Sequence, residues 1–481
     1  MSTKELGITV KKDENLSEWY TQVVTKAQLA DYSSAKGFMV LMPHGFAIWE
    51  LIKEYFDKRI KEIGHKNAYF PILIPERLLK MEAEHFEGFT PEVFWVTHSG
   101  DNELGERLAV RPTSETIIYE SYSKWVKSWR DLPVLINVWN SVVRAEITST
   151  RPFLRTTEFL WQEGHTVHAT EEEAEKEVMT ILDIYTRLAE DQLAIPVLAG
   201  KKTEREKFKG AVYTTTLEAI MPDGKAIQMG TSHHLGQKFS RPFEIKYLGT
   251  DEKEHYAWTT SWGVSWRLIG TMILTHGDDK GLIIPPRIAP IQVVIVPILY
   301  KEEDSESILK ETRHLASTLE KGGIRTYMDD RTQYTPGWKY NEWEMKGVPL
   351  RVEIGPRDVK NEQVTVVRRD TGEKSTIPRS SAEDKMRKLL DEIQESLFQR
   401  AKKSMEQLTS KAEDMQSFKR TLEEKGGFIK TFLCDDVTCE DQIKQETGAT
   451  VRLVPFQRKE TGKCVHCGTD GSQMVYFARS Y

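Results

Sequence analysis

Cysteine is scarce in this chain. Its 481 residues hold four, and all lie between Cys434 and Cys467. That excludes a disulfide-stapled secreted scaffold and points to one local cysteine site in a reducing, cytoplasmic setting. Long apolar runs are missing too. None approaches 18 residues, so no membrane span is expected. The opening Met1-Ser-Thr-Lys-Glu-Leu-Gly7 has no apolar stretch behind a basic flank, so no secretory signal is expected. There is no basic excess. Lys plus Arg is 67 against 73 for Asp plus Glu, a formal net charge of −6. A uniformly basic nucleic-acid coat is thereby excluded, whereas a basic face on one domain is not. Finally, no Walker-type glycine-rich phosphate loop, internal repeat or low-complexity tract occurs.

What is present is an ordinary globular composition, 39% hydrophobic and 29% charged. The length suggests three or so domains. Apolar residues at helical spacing predict a helix over 47–63, stopped by Gly64 and followed by an apolar strand over 69–75. Strands are expected at 134–139 and 242–247, and a helix at 171–194 with acids at its start. Few helices among many strands predict a mainly antiparallel sheet. Pro285-Pro-Arg-Ile-Ala-Pro290 is a proline-dense joint. Beyond it, strands at 292–298, 324–328 and 350–354 alternate with helices near 305–322 and 339–346, predicting a small α/β domain with a largely parallel sheet. A long charged helix or helix pair over 382–425 ends at Gly426-Gly427. The expected class is α+β, divided at 1–285, 286–382 and 383–481.

Cys434-x4-Cys439 and Cys464-x2-Cys467 form two close thiol pairs. Four thiolates on two turns suit a tetrahedral, structural Zn2+ that would stabilise a segment too small for its own core. Free thiols or two disulfides are the plainer alternatives, and His466 could replace one ligand. A second pattern is Arg144-x-Glu146, a turn-rich loop, then Arg155-x3-Phe159-x3-Glu163. Alone, Arg144 and Glu146 would be a surface ion pair on a strand. Followed by the second half, they predict two antiparallel strands presenting an arginine fork, an acid and an aromatic ring to one cleft. Such a fork matches phosphate, and a ring matches a purine.

The arrangement Arg144-x-Glu146, loop, Arg155-x3-Phe159 resembles motif 2 of the class II aminoacyl-tRNA synthetases. The helix and strand ending at Pro75 resemble motif 1, which implies a homodimer. Ser261-Trp-Gly-Val-Ser265-Trp-Arg267 is similar to motif 3, although Val264, Ser265 and Trp266 replace its usual glycines and acid. Thr113-Ser-Glu115, Trp161-Gln-Glu163-Gly-His165 and Gly230-Thr231-Ser-His233-His234 resemble signature segments of the prolyl-tRNA synthetase family. The cysteine segment and terminal Tyr481 are similar to its archaeal and eukaryotic-like branch. Residues 167–260 leave no room for the bacterial editing insertion.

The resemblance implies ATP with Mg2+, L-proline and tRNA(Pro) as ligands. It implies ATP contacts from Arg144, Glu146, Arg155, Phe159, Gln228, Thr231 and Arg267, with Arg144 and Arg267 serving catalysis. It implies a proline pocket of Thr113, Glu115, Arg144, Trp161, Glu163, His165, His233 and Ser265. The stretch Pro112-Thr-Ser-Glu115 is also a good helix N-cap. His233 and His234 point to opposite strand faces, so one shared metal is not expected. The small α/β domain resembles the class IIa anticodon-binding domain, with Arg331, Lys346, Arg351 and Glu353 at positions that would read anticodon bases.

Overall fold

The computed structural model describes residues 7–85, 92–299, 302–456 and 460–481, so the opening residues 1–6 lie outside it. Among the described residues, no helix is long and apolar enough to cross a membrane.

A twelve-stranded sheet dominates. Val134–Val143 pairs antiparallel with Glu158–His168 over ten residue pairs. Glu158–His168 pairs with Trp258–Ser265, and that strand with Ala226–Gly236. Tyr213–Ile220 and Leu198–Lys201 continue the antiparallel order. Helices Pro43–Glu62 and Glu171–Arg187 cover one face. Ile48, Ile52, Phe56 and Ile60 recur every four residues along the first helix and are fully buried. Phe56 stacks on Tyr185 at 5.2 Å and meets Trp262 edge-on at 6.1 Å. Gly64, at φ 98°, lies just beyond the helix end, a conformation that glycine takes without strain. The opposite face is covered at one end, where Ile118, Tyr119 and Tyr122 of the helix Glu115–Trp125 pack with Val138 and Val167, and is open beyond them.

Some local expectations shift. Only Leu73–Pro75 of the 69–75 run is a strand; Tyr69 is 72% exposed and Pro71 has no N–H for a ladder. Only Lys246–Leu248 remains of the strand expected at 242–247, because the chain turns at Glu244 with φ 53°. The helix from Glu171 is regular to Arg187 and then widens into a π turn over Leu188–Gln192.

The small domain has a five-stranded sheet. Thr326–Met328, Val293–Pro297 and Leu350–Ile354 are parallel. Gln363–Arg368 and Lys374–Pro378 add an antiparallel hairpin turned at Gly372, so the sheet is mixed, not largely parallel. The helix Ala382–Gln407 lays Met386, Leu390, Ile393 and Leu397 on this domain's core. The strand Thr409–Lys411 then interrupts the charged segment before a second helix, Met415–Glu424.

The C-terminal strands join the large sheet. Val454 and Pro455 pair antiparallel with Lys201 and Gly200. The join is fastened by a buried ion triad. Lys202 Nζ donates to Glu218 Oε1 at 2.8 Å, and Arg452 Nε and Nη2 donate to Glu218 Oε2 at 2.9 and 2.7 Å. The terminal residue folds back as well. Tyr481 N donates to Ala226 O at 3.2 Å, its hydroxyl donates to Asp223 Oδ2 at 2.8 Å, and its ring lies 5.5 Å from the Arg151 guanidinium.

Candidate active site

The open face of the central sheet forms the floor of a cleft of about 660 Å³. Strand alternation and register order its side chains in rows. Trp161 is paired with Ser265, Glu163 with Gly263, and His165 with Ser261. On the next strand, Thr231 pairs with Gly263 and His233 with Ser261. All eight line the cleft.

At one end lie the arginines. Arg144 follows the strand Val134–Val143, so it and Glu146 sit on the turn and not on the strand. That frees the guanidinium to swing over the floor, where it lies 5.1 Å from the Phe159 ring centroid and 5.7 Å from that of Trp161. Its Nε donates to Pro112 O at 3.3 Å. Arg267, the first residue of the helix Arg267–His276, donates from Nε to Leu154 O at 3.2 Å. Backbone carbonyls fix direction without neutralising charge. Burial lowers the Arg144 guanidinium below its ordinary value, with Glu146, Glu115 and Glu163 opposing. Burial and then the nearby Arg144 bring Arg267 down to about 10, so both remain cationic at neutral pH. Two half-buried cations lining one cleft suit it to an anionic ligand. Arg155 is exposed and outside the lining, yet close enough to Arg267 to depress it further. Glu146, Phe159, Gln228, Thr231 and Arg267 all line the cleft.

At the other end is a polar cage. The Thr113 hydroxyl donates to Glu115, and the Ser114 hydroxyl donates to Glu163. Glu163 also accepts from Asn140 Nδ2 at 2.8 Å and faces His165 Nε2 at 3.0 Å. Burial pushes the Glu163 carboxyl up, but His165, Ser114 and Asn140 together outweigh it and hold it below its ordinary value. Burial would lower His165, but Glu163 and Glu115 raise it. The cage is therefore an ion pair with acid to spare, suited to a ligand carrying a cationic nitrogen. Trp161 Nε1 donates to Asn140 Oδ1 at 2.5 Å, which stands the indole upright as a wall. His233 Nδ1 meets Thr214 Oγ1 at 2.8 Å, and burial, then His165, lower the imidazole to about 3, so it is neutral. His234 points to the other face and stacks on Tyr213 at 5.1 Å. Ser265 Oγ accepts from Arg267 N at 3.3 Å.

Sequence reasoning missed several members. Asn140 and Ser114 orient Glu163, and Ser261 lines the floor with a buried, unpartnered hydroxyl. Phe208 closes one wall, its ring 5.2 Å from that of His233. It sits in Lys-Lys-Thr-Glu-Arg-Glu-Lys-Phe, a run that reads as solvated loop. Alternation on the strand was the available signal for Ser261; nothing local marks Phe208.

The anticodon candidates gather round the helix Pro336–Met345. Arg331 is bidentate to Asp329 at 2.8 and 2.7 Å and also reaches Glu342, which accepts from Lys346 at 2.9 Å. Arg351 lies 4.2 Å from the Tyr340 ring centroid and donates to Glu353, which also accepts from Lys374 at 2.7 Å.

Outside the cleft lining, the four cysteines converge as free thiols, with every Sγ within 4.8 Å of the others. Cys434 and Cys467 Sγ are 3.7 Å apart. A tetrahedron with Zn–S of about 2.3 Å has an edge of about 3.8 Å, so the cluster fits zinc. His466 turns away, towards Glu446 at 3.8 Å.

Comparison with known proteins agrees with this geometry. A family model described as tRNA synthetase class II core domain (G, H, P, S and T) matches residues 94–276. One for an anticodon binding domain matches 292–389, and one for the prolyl-tRNA synthetase C-terminal region matches 415–481. A proline–tRNA ligase of Cenarchaeum symbiosum is 53% identical over 99% of this chain and 100% of its own. Proline–tRNA ligase 2 of Clostridioides difficile is 53% identical over 98% and 97%, and that of Bacillus cereus 48% identical over the full length of both. With such identity along its whole length, the chain belongs to the prolyl-tRNA synthetase family.

Proposed function

We propose that this chain is a proline–tRNA ligase, which activates L-proline with ATP and passes the prolyl group to the 3′ end of tRNA(Pro). The observation that carries the reading is the meeting of Arg144, Phe159 and Arg267 with an acidic cage in one cleft. The Phe159 ring stacks on adenine, and Glu146 accepts from its amino group. Arg144 reaches from the nucleotide end towards the cage, beside Trp161, and bridges the α-phosphate and the proline carboxylate. A carboxylate oxygen attacks the α-phosphorus, the bond to pyrophosphate breaks, and Arg144 stabilises the charge that builds. Arg267 and Arg155 hold the outgoing phosphates. Gln228 and Thr231 contact the nucleotide, and Mg2+ would neutralise those phosphates when bound.

The cationic imino nitrogen has two N–H donors, and Thr113 and Glu115 receive them. Trp161, His165 and His233 wall the pyrrolidine ring, Glu163 sets the imidazole of His165, and Ser265 completes the edge. In the second step, the terminal ribose hydroxyl attacks the prolyl carbonyl and AMP leaves. Both steps rest on positioning and charge and need no covalent protein nucleophile. The proposed division of labour is activation by 1–285, anticodon reading by 286–382 through Arg331, Lys346, Arg351 and Glu353, and support by 383–481.

The four cysteines hold a structural Zn2+. The proposed compartment is the cytoplasm, where reduced thiols persist and tRNA is charged. The proposed state is a homodimer, supported by Phe46, Tyr69 and Ile72 of the motif 1 region, which are 42%, 72% and 42% exposed. Charging of tRNA with labelled proline tests the reading. Proline esterified to tRNA(Pro) is expected, and failure to charge with any tRNA preparation would overturn it.

A further inference from the structure

The loop between the strands Leu198–Lys201 and Tyr213–Ile220 walls the cleft with Glu206, Lys207 and Phe208. Phe208 is tied to the floor, since its N–H donates to Thr214 Oγ1 at 3.1 Å and Thr214 holds His233. The outer side of the loop faces the C-terminal segment. Thr203 Oγ1 donates to Glu440 Oε1 at 2.9 Å. Arg205 makes a two-pronged contact with Asp441, Nε to Oδ1 at 2.9 Å and Nη2 to Oδ2. Lys444 Nζ lies 3.6 Å from Glu206 Oε1. Glu440, which is buried, and the more exposed Asp441 and Lys444 lie on one helix, Val437–Thr447. The root of the loop is gripped by the same segment, because Lys202 Nζ donates both to Glu218 and to Arg452 O at 2.9 Å.

We infer that the helix Val437–Thr447 is a clamp that holds the 202–212 loop against the amino-acid end of the cleft. Glu440 and Asp441 are positioning residues for recognition of the amino acid, acting through Thr203, Arg205 and Phe208. This rests on the proline-activation reading of the cleft. The physical reason is a division of strength along the loop. Its root is buried in the ion triad and fixed. Its middle is held by partly exposed pairs, which are weak and salt-screened. Such a loop can open to admit a ligand and close when Phe208 gains a ring to pack on. The root does reach the nucleotide end, where Glu218 and Arg452 act on the charge of Arg267, but Glu440 and Asp441 meet the loop at Thr203 and Arg205, so changing them should bear on the amino acid and not on the nucleotide.

The test compares Asp441→Ala, the volume-conserving Asp441→Asn and the charge swap Arg205→Asp with Asp441→Arg, all in the full chain. In proline-dependent ATP–pyrophosphate exchange, the two single variants should raise the KM for proline about three- to fivefold, the size expected of one partly exposed ion pair. The kcat and the KM for ATP should stay unchanged, and the swap should restore the KM for proline. Trypsin should cut after Arg205, Lys207 or Lys209 faster in the single variants than in the parent chain. An unchanged KM for proline would overturn the inference. So would a loss shared equally by kcat and both KM values, which marks a merely structural contact. Should the parent chain show no proline-dependent exchange, the functional reading is what fails; the trypsin rates still decide whether the helix clamps the loop.

Discussion

Burial and then the neighbouring Arg144 lower Arg267, the residue-scale mark of a cationic end of the cleft that suits an anionic ligand. Arg144→Ala removes the group proposed to serve both substrates at the reacting atoms. Exchange should fall by about 2.7–4 kcal/mol of barrier, roughly 10²–10³-fold, by analogy with lost oxyanion donors. Phe159→Ala removes only a stacking surface and should raise the KM for ATP with a far smaller change in kcat. The Glu163–His165 pair gives a pH prediction. The carboxyl is depressed below about 4.5 and the imidazole raised above about 6.5. The carboxylate's contribution to stability is present above its unfolded pKa and lost as pH falls through its folded one. The imidazolium's contribution is full below its unfolded pKa and lost as pH rises through its folded one. The pair therefore stabilises fully between about pH 4.5 and 6.5. In thermal melts, the advantage of the parent chain over His165→Gln should be widest in that window and shrink on both sides. A pH-independent difference would contradict the pairing.

At the scale of elements, the site depends on strands whose two faces do different work. Trp161, Glu163 and His165 face the cleft, while Gly164 between them faces Trp262. A Cβ on Gly164 would lie 2.1 Å from the indole. Gly164→Ala should thus lower stability by at least the about 1–3 kcal/mol of an overpacked core, read by denaturant unfolding. Much of the site was legible through the family resemblance, and alternation is why its Trp161–Glu163–His165 segment presents all three side chains to one cleft: residues two apart share a strand face. Other features were not legible. The chain turns at Glu244 with positive φ, which no apolar pattern signals. The antiparallel hairpin 363–378 made the small sheet mixed, although its neighbours alternate with helices. Nothing in the charged run at 201–209 marks it as a cleft wall, because its partners Glu440 and Asp441 lie more than 200 positions along the chain.

At the scale of the molecule, one sheet runs from the cleft to the cysteine cluster through the pairing of Val454 with Lys201. A domain division read from composition could not anticipate this, since edge pairing follows from backbone groups and not from side-chain type. The cysteines hold the strands and the helix Val437–Thr447 at that end. Removing zinc with a chelator, or substituting Cys434→Ser, should lower the melting temperature and release about one zinc per chain by metal analysis. A chain that purifies with no zinc and melts unchanged would contradict the metal assignment. Sedimentation equilibrium should give twice the 55.5 kDa chain mass, and Phe46→Glu should shift it towards the single-chain value.

The central claim is that one cleft joins a nucleotide to an amino acid with a cationic ring nitrogen. The most direct measurement is ATP–pyrophosphate exchange with each amino acid supplied singly. Exchange that depends on proline, and is far weaker with every other amino acid, is the predicted result. Exchange driven instead by threonine, glycine or histidine, or by none, would contradict it.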